Sequence, residues 1–233
     1  MQSSDVRSGI QRSLEIVNAL DLGETFSNPL PLAVDEQFRD IVLSDATYIE
    51  VYLAGLSRSH YNFLLVDYSY FQFSWEKLDH IRYAYYPNPF LGPAEASISE
   101  FKRRRELVES GLITHEEYFA LLRDSPAQFR IPAFRYENSP DQRQELRHPC
   151  SHMHIGHHGE DRWALNRVLT PFAFTLLVLK HYYSPSWREM GDDPADPYGN
   201  SFEARLAQEK SAKCALVPAA LFSPKEATSF FFG

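Results

Sequence analysis

The sequence has few cysteines and no long hydrophobic run. Its two cysteines, Cys150 and Cys214, are too few for a disulfide framework and fit a reducing compartment. The longest strongly apolar run, FAFTLLVL at 172–179, is far shorter than the roughly 20 residues that span a bilayer. The opening MQSSDVRSGIQ lacks the basic and apolar segments of a signal peptide. We therefore expect a soluble, cytoplasmic protein that does not insert into a membrane.

Positive charge is also scarce. The chain has 23 Lys and Arg against 31 Asp and Glu, and its formal net charge is −8. A protein that coats nucleic acid needs clustered basic residues, so the composition argues against this class, whereas a local basic patch is still compatible with it. The one basic cluster is FKRRRE at 101–106. Its cations spread around a predicted helix, which fits either a solvated helix face or a phosphate-binding patch.

Aromatic residues are abundant, with 17 Phe and 13 Tyr, and many lie in runs with β-branched residues that favour a sheet. Five runs are predicted strands: ATYIEVYLAG from 46, HYNFLLVDYSYFQF from 60, HIRYAYYP from 80, IPAFRYEN from 131 and ELRHPCSHMHIG from 145. Short connections predict antiparallel pairing, because a parallel pair needs a long crossover. We expect the first two strands to form one hairpin and the last two, joined by SPDQRQ, to form another.

Helical spacing of apolar residues predicts a helix over 4–22 and a helical insertion over about 94–124, in which THEE at Thr114 is a capping box. Thr170 and Pro171 should begin a very apolar helix that continues to about His181. The predicted fold is α+β: a curved antiparallel sheet of about five strands, with the helices near residues 10 and 175 packed on one face. Residues 1–185 form the predicted main domain, and 186–233 form a C-terminal loop, helix and Phe-rich tail.

Five of the nine histidines lie in HPCSHMHIGHH at 148–158. The period of two in a strand would place four side chains on one face, with Met153 and Ile155 on the other. Those four are His148, Cys150, His152 and His154. This alternation predicts a sheet with one covered face and one working face. His157 and His158 follow Gly156 in a predicted turn, where we interpret them as solvated.

Metal-free phosphodiester chemistry is one use for this row. Two imidazoles can serve as acid and base, and a nearby guanidinium can stabilise charge that develops on phosphorus. We predict His152 and His154 as the acid/base pair. Arg135 in FRYEN is the predicted phosphate-side cation, with Arg147 as the alternative. Tyr136 and His148 complete the candidate catalytic set, and this chemistry needs no cofactor.

Binding of a divalent transition metal is the alternative. His152 and His154 could be ligands with Cys150 as a third. Sequence reasoning does not assign a further ligand among four candidates: His60, His80, Glu137 and Glu160. A cupin-like barrel would also present His-x-His on a strand, but the second half of that pattern is absent. A purely structural interpretation makes the histidines a solvated strand and pairs Arg135 with Glu145.

The run FRYEN, then RHPCSHMHIGHHGEDRWALNR and an apolar helix ending in HYY, resembles an uncharacterised bacterial family known only as a domain of unknown function. That resemblance covers most of the chain and implies no activity. The chain is also similar to small toxins of bacterial toxin–antitoxin pairs, in which an arginine-bearing strand precedes a His-x-His strand on a curved antiparallel sheet. This likeness implies cleavage of RNA, or another attack on nucleic acid, with Arg135, His152 and His154 at the matching positions.

The leading hypothesis is therefore an enzyme of the toxin or phage-defence type that acts on nucleic acid and is paired with an antitoxin. The alternative is a non-catalytic subunit of a larger bacterial complex. It would bind its partner protein through the acidic loop near Asp192 and the Phe-rich terminus. A metal-binding protein is the third alternative.

Overall fold

A computed structural model describes residues 1–91, 95–125, 132–157 and 162–228, apart from the side chains of 25–27, 95–98 and 100. Seven strands lie side by side in chain order, and every neighbouring pair is antiparallel. They are β1 (Gly23–Ser27), β2 (Phe63–Leu65), β3 (Tyr70–Lys77), β4 (His80–Tyr86), β5 (Phe134–Asn138), β6 (Ser151–Ile155) and β7 (Trp163–Ala164). The predicted α+β class and antiparallel sheet are confirmed.

The helices that accompany the sheet are α1 (Ser3–Ala19), α2 (Glu36–Leu43), α3 (Tyr48–Ser57), α4 (Glu95–Glu109), α5 (His115–Arg123), α6 (Pro171–Tyr182), α7 (Ser184–Glu189), α8 (Phe202–Ala212) and α9 (Pro224–Thr228). The predicted helical character of 94–124 is confirmed over α4 and α5. Within the described ranges, none of these helices has the length and apolarity needed to cross a membrane. The Phe-rich tail at 230–232 lies outside the described residues.

The prediction of a strand from residue 46 is wrong, because helix α3 occupies this segment. Thr47 caps the helix by accepting a hydrogen bond from the Glu50 amide, and the Glu50 carboxylate accepts from the Thr47 amide at 2.7 Å. This capping box satisfies two of the unpaired donors at the first turn. Val51 and Tyr52 then bury the inner side of the helix against the sheet. Local capping thus overrides the β preference of the aromatic composition.

The segment 60–73 folds as two strands instead of one. Tyr68 adopts a left-handed backbone with φ of 63°, and Asp67 accepts a hydrogen bond from the Ser69 amide, so a tight turn separates β2 from β3. The expected hairpin between 46–55 and 60–73 is replaced by the β2–β3 hairpin. With the short edge strands β1 and β7, the sheet reaches seven strands where about five were expected.

One face of the sheet, here called the core face, is covered by α1 and α6. Its largest buried side chains are Phe71, Phe73, Tyr83, Tyr85, Phe134 and Tyr136, and Phe174 of α6 packs against them. Gly9 brings α1 close to α6, because a Cβ at this position would lie 2.6 Å from Cδ of Pro171. Trp187, Phe202 and Leu206 also join this core, so the C-terminal helices pack on the same body.

The opposite face, here called the cleft face, is divided in two. At one end Leu64, Tyr70 and Tyr86 lie under a second apolar cluster supplied by α2, α3, α4 and α5. Helices therefore cover parts of both faces, where one covered face was expected. At the other end strands β3 to β6 present polar side chains by strict alternation: Gln72, Ser74, Arg82, Arg135, Glu137, His152 and His154. This polar end forms the candidate site.

Candidate functional site

The β5–β6 ladder sets the geometry of the candidate site. Arg135 lies directly opposite His154, and Glu137 lies directly opposite His152. Side chains that face each other across an antiparallel pair have Cβ atoms about 4.5–5.5 Å apart, close enough to share a ligand. The structure thus confirms the predicted hairpin and places His152, His154 and Arg135 on one face. Arg82 of β4 extends the row, because it pairs with Glu137.

A cleft of about 460 Å³ opens over this row. Its polar wall includes Arg82, Arg135, Arg162, His148 and His154, and its other wall is formed by the chain around 32–35 and by α2, including Phe38 and Val42. The volume falls within the roughly 300–1,000 Å³ of small-molecule sites. A cationic wall opposite a wall that carries apolar side chains can hold a ligand that has both an anionic group and a flat or apolar group.

His152 lies at the bottom of the cluster and has no exposed surface. Its ring lies between those of His148 and His154, with centroid distances of 4.7 and 4.8 Å. Nδ1 is 2.7 Å from the carbonyl oxygen of Pro149, so Nδ1 carries the proton and donates it. Nε2 therefore presents a lone pair, and it is buried with no hydrogen-bond partner among the described residues. Burial lowers the pKa of His152 to about 4, and the ring is neutral near pH 7.

His148 precedes β6 and lines the cleft. Burial lowers its pKa, although the carboxylate of Glu137 acts in the opposite direction. Its Nδ1 is buried and has no hydrogen-bond partner within the described ranges. The ring reaches His152 because residues 144–148 form a closed turn. In this turn the Gln144 amide donates to the His148 carbonyl and the His148 amide donates to the Gln144 carbonyl, each at 2.8 Å. This position differs from the predicted continuous strand but keeps His148 in the cluster.

Arg135 reaches into the cleft and is held at one end. Its Nη2 donates to the carbonyl of His157 at 3.1 Å, while Nε is buried without a hydrogen-bond partner in the described part of the chain. The suggested alternative partner, Glu145, instead lies 3.6 Å from Lys225. Arg147, the other candidate cation, is exposed and does not line the cleft. Of the two candidates, only Arg135 is placed with the histidines.

Two predicted site residues have side chains in the core, although one of them, Tyr136, also borders the cleft. Tyr136 is one residue from Arg135 and therefore points to the core face, where its hydroxyl bonds Ser151 Oγ at 2.9 Å and accepts from the Leu169 amide. Cys150 precedes β6, at a point where Pro149 interrupts the alternation, and its side chain joins the core cluster. Its Sγ lies 3.8 Å from Asn138 Oδ1, and burial raises the pKa of the thiol to about 11. Neither residue belongs to the cluster.

Glu137 takes the place expected for Cys150. Each of Glu137, His152 and His154 offers one ligand atom, and these atoms lie within 4.8 Å of one another. From the sequence alone, Glu137 is one of four candidates for a distal metal ligand. The signal that could have identified it is simple: it lies two residues after Arg135 and therefore on the same face. Arg82 and Arg162 were missed, because their placement depends on the pairing of β4 and on the chain after β6.

The remaining histidines lie outside the group formed by Glu137, His152 and His154. His157 is half-buried rather than solvated: its Nε2 donates to the Ala46 carbonyl at 2.7 Å and its ring contacts Tyr48, which ties the end of β6 to the start of α3. His60 packs on Phe38 and lines the same cleft, whereas His80 lies 3.2 Å from Asp141. His158 and Glu160 lie outside the described residues.

Comparison with known proteins agrees with the resemblance at the family level. A search of curated proteins and a search of solved structures found no match. One family model, described as "Uncharacterized conserved protein (DUF2290)", matches residues 28–218. This range includes the sheet from β2 to β7 and every residue of the cleft named above. The chain therefore belongs to this family of uncharacterised conserved proteins.

Proposed function

We propose that the cleft is the active site of an enzyme that cleaves phosphodiester bonds in nucleic acid. One observation carries the proposal: His148 and His154 line the same cleft as Arg82, Arg135 and Arg162. Imidazoles that can move protons beside guanidinium groups that can bind a phosphate are the groups such a reaction needs. The sheet holds most of them on rigid, paired strands.

Local charge supports an anionic substrate. The chain as a whole carries a net charge of −8, yet four arginines line the cleft once Arg39 of α2 is included. The two carboxylates of the cleft are each engaged by a cation: Asp35 with Arg58 at 2.7 Å and Glu137 with Arg82 at 3.3 Å. A guanidinium group can bind two phosphate oxygens at once. The cleft therefore fits one or two phosphate groups, whereas the acidic remainder disfavours coating of a duplex.

The reaction needs a base and an acid. A base takes the proton of an attacking hydroxyl or water, the new P–O bond forms, and an acid returns a proton to the leaving oxygen as its P–O bond breaks. His148 has a Nδ1 without a hydrogen bond among the described residues and lines the cleft, so we assign it to proton transfer. His152 lies beneath the cleft and uses Nδ1 to bond Pro149, so the predicted acid/base pair of His152 and His154 does not fit in that form.

Arg135 provides the sharpest test. Pure protein is incubated with defined single-stranded and duplex RNA and DNA, with added divalent metal and with chelator, and the products are resolved on gels. We expect cleavage that falls about 100-fold or more in Arg135→Gln, the scale for loss of one charge-stabilising donor. Arg147→Gln is the matched control, because Arg147 is exposed on the connection between β5 and β6 and lies outside the cleft. Absence of cleavage under both conditions, or equal loss in both variants, would reject the proposal.

The biological setting that we propose is that of a bacterial toxin or phage-defence enzyme restrained by an antitoxin.

The second candidate, a non-catalytic subunit of a larger complex, is favoured by one feature. Tyr198 is 85% exposed in an acidic loop that contains Asp192, Asp193 and Asp196. If this loop binds a partner and the cleft is inactive, Tyr198→Ser should weaken complex formation with the product of a neighbouring gene, and Arg135→Gln should not.

A further inference from the structure

We propose that Glu137, His152 and His154 bind a divalent transition-metal ion at the floor of the cleft. The inference rests on the proposed function, because it names the cofactor that would activate the attacking water in the same site. The binding claim can nevertheless be tested without any substrate. It also reassigns His154 from proton transfer to metal binding, so that His148 is the histidine that transfers the proton.

Distance brings the three ligands together. Their ligand atoms lie within 4.8 Å of one another, on adjacent strands whose register fixes them. An ion bound at about 2.0–2.2 Å from each atom needs ligand atoms roughly 3–3.5 Å apart. The difference is on the order of 1 Å, which side-chain rotation can supply without a change of backbone. Two of the ligands, Glu137 and His154, line the cleft and give the ion its path of entry.

The hydrogen bonding of His152 matches that of a metal ligand. In metal sites the second ring nitrogen usually donates to a backbone carbonyl or carboxylate, which orients the ring and fixes its tautomer. Nδ1 of His152 does this with Pro149 at 2.7 Å. The lone pair of Nε2 is left inside the cluster, fully buried and without a hydrogen bond among the described residues. A buried acceptor of this kind destabilises the fold unless it is satisfied, and a cation satisfies it.

Glu137 shows the same feature. Its Oε1 is buried and makes no hydrogen bond in the described part of the chain, although Arg82 Nε lies 3.3 Å away as an ion-pair partner. That contact has the distance of an ion pair but not the direction of a hydrogen bond. Two acceptors without hydrogen bonds among the described residues therefore come from adjacent strands of the same group. This is the arrangement expected around a cation that both of them bind.

The donor set selects the class of metal. Two imidazole nitrogens and one carboxylate oxygen suit Zn²⁺, Co²⁺, Mn²⁺ or Fe²⁺, whereas Ca²⁺ and Mg²⁺ prefer oxygen ligands throughout. Three protein ligands leave coordination positions for water, as in catalytic rather than structural zinc sites. Cys150 is not part of the set, because its thiol lies in the core.

The surrounding arginines give the ion a role in substrate binding. Arg135 stands opposite His154, and Arg82 already contacts Glu137. Like charges nearby weaken binding of a free ion, but a phosphate placed between the ion and the guanidinium groups would neutralise both. The ion would act as a Lewis acid on the phosphate or on a bound water, which are established uses of a metal in phosphoryl chemistry. We therefore expect the metal ion to bind more tightly to the protein–phosphate complex than to the free protein. The phosphate should likewise bind more tightly to the metal-loaded protein.

The test is direct binding to the full, untagged chain, stripped with chelator and dialysed. Titration with Co²⁺ is followed by its visible absorption and by calorimetry, and bound Zn²⁺ is counted by elemental analysis. We expect one equivalent, with affinity reduced about 100-fold or more in His152→Gln and Glu137→Gln, because loss of even an outer partner of a metal ligand costs 10–100-fold. His181→Gln and Glu145→Gln, both exposed and outside the cleft, are the matched controls.

Each outcome has a defined meaning. Absence of Co²⁺, Zn²⁺ and Mn²⁺ binding by the wild-type chain, or equal binding by the site and control variants, overturns the metal site. If a site variant does not fold, as judged by circular dichroism, His154→Gln at the cleft wall replaces it. Stoichiometric binding without cleavage of nucleic acid supports the metal site and rejects the proposed function. Cleavage by metal-free protein that binds no added ion supports the function and rejects the metal site.

Discussion

Glu137 is the direct cross-strand partner of His152, and both side chains turn toward the cleft face. The carboxylate and the imidazole each present an acceptor without a hydrogen bond among the described residues. If these acceptors bind a metal, Zn²⁺ at 100 times its dissociation constant should stabilise the fold by about 2.7 kcal/mol. For a chain of this size we expect a rise in melting temperature of about 5–10 °C. Thermal melts should show this rise, its reversal by chelator and its absence in His152→Gln.

The Tyr136 side chain belongs to the core. Its hydroxyl accepts from the Leu169 amide at 3.0 Å and bonds Ser151, which in turn donates to the Arg167 carbonyl at 2.7 Å. Tyr136→Phe leaves the buried Leu169 amide unpaired, so we expect a loss of about 1–3 kcal/mol in urea unfolding. Cleavage per folded molecule should be unchanged. Tyr182→Phe, which removes a hydroxyl at a surface contact, is the milder control; lost activity in Tyr136→Phe alone would restore this residue to the site.

Both cysteines should be unreactive in the native protein. Cys150 and Cys214 are each 2% exposed, and burial raises the pKa of both thiols, for Cys150 to about 11. The thiolate is the reactive form and a reagent must also reach it, so we expect alkylation near neutral pH only after denaturant is added. Mass spectrometry of iodoacetamide-treated protein measures this. Rapid native labelling of Cys150 would show that its segment opens readily, contrary to its packing.

Asp67 should make folding sensitive to pH. Burial raises the pKa of its carboxyl, although hydrogen bonds from the Ser69 amide and the Tyr183 hydroxyl oppose the shift. The native state therefore holds the proton more tightly than the unfolded chain. The corresponding stability is fully present below the unfolded pKa of about 3.9 and is lost as pH rises through the folded pKa. Urea unfolding from pH 4 to 7 should show a weaker decline in Asp67→Asn; identical pH profiles would refute this account.

The hydroxyl of Thr47 should contribute to stability by capping α3. Thr47→Ala removes the acceptor for the Glu50 amide and half of the capping box, and we expect a loss of about 1 kcal/mol in the free energy of unfolding. Thr47→Ser retains the oxygen and should lose much less. Chemical denaturation of the three proteins gives the comparison. Equal stability of the Ala and Ser variants would mean that tertiary contacts alone fix the start of this helix.

Local signals explain which elements could be predicted from the sequence. Thr170 followed by Pro171 marks the start of α6, and Thr114 with Glu117 marks α5. The same kind of signal was present at Thr47 and Glu50, but the aromatic and β-branched residues after it favoured a strand. Val51 and Tyr52 are buried side by side, which suits one side of a helix under a sheet as well as a fully buried strand. Composition could not separate these alternatives.

Local patterns in the sequence also predicted some of the site residues but not others. Alternation along β6 predicted that His152 and His154 share a face, and pairing with FRYEN brought Arg135 to them. The same period excludes Tyr136, which is offset by one residue, and includes Glu137. Cys150 was misassigned because alternation holds only inside a regular strand, and β6 begins after Pro149. Arg162 and Arg82 come from segments that only the tertiary fold brings to the cleft.

The strands lie in the sheet in the order in which they are synthesised, and this order has a consequence for the growing chain. Each strand emerging from the ribosome can pair at once with the one before it. The cleft, however, takes residues from β4, β5 and β6, and the core face is not closed until α6 docks beside α1. A nascent chain that ends before α6 therefore has an incomplete core and an uncovered apolar face. Chains in this state are prone to aggregate. The cleft would therefore gain its supporting core only after α6 has been synthesised.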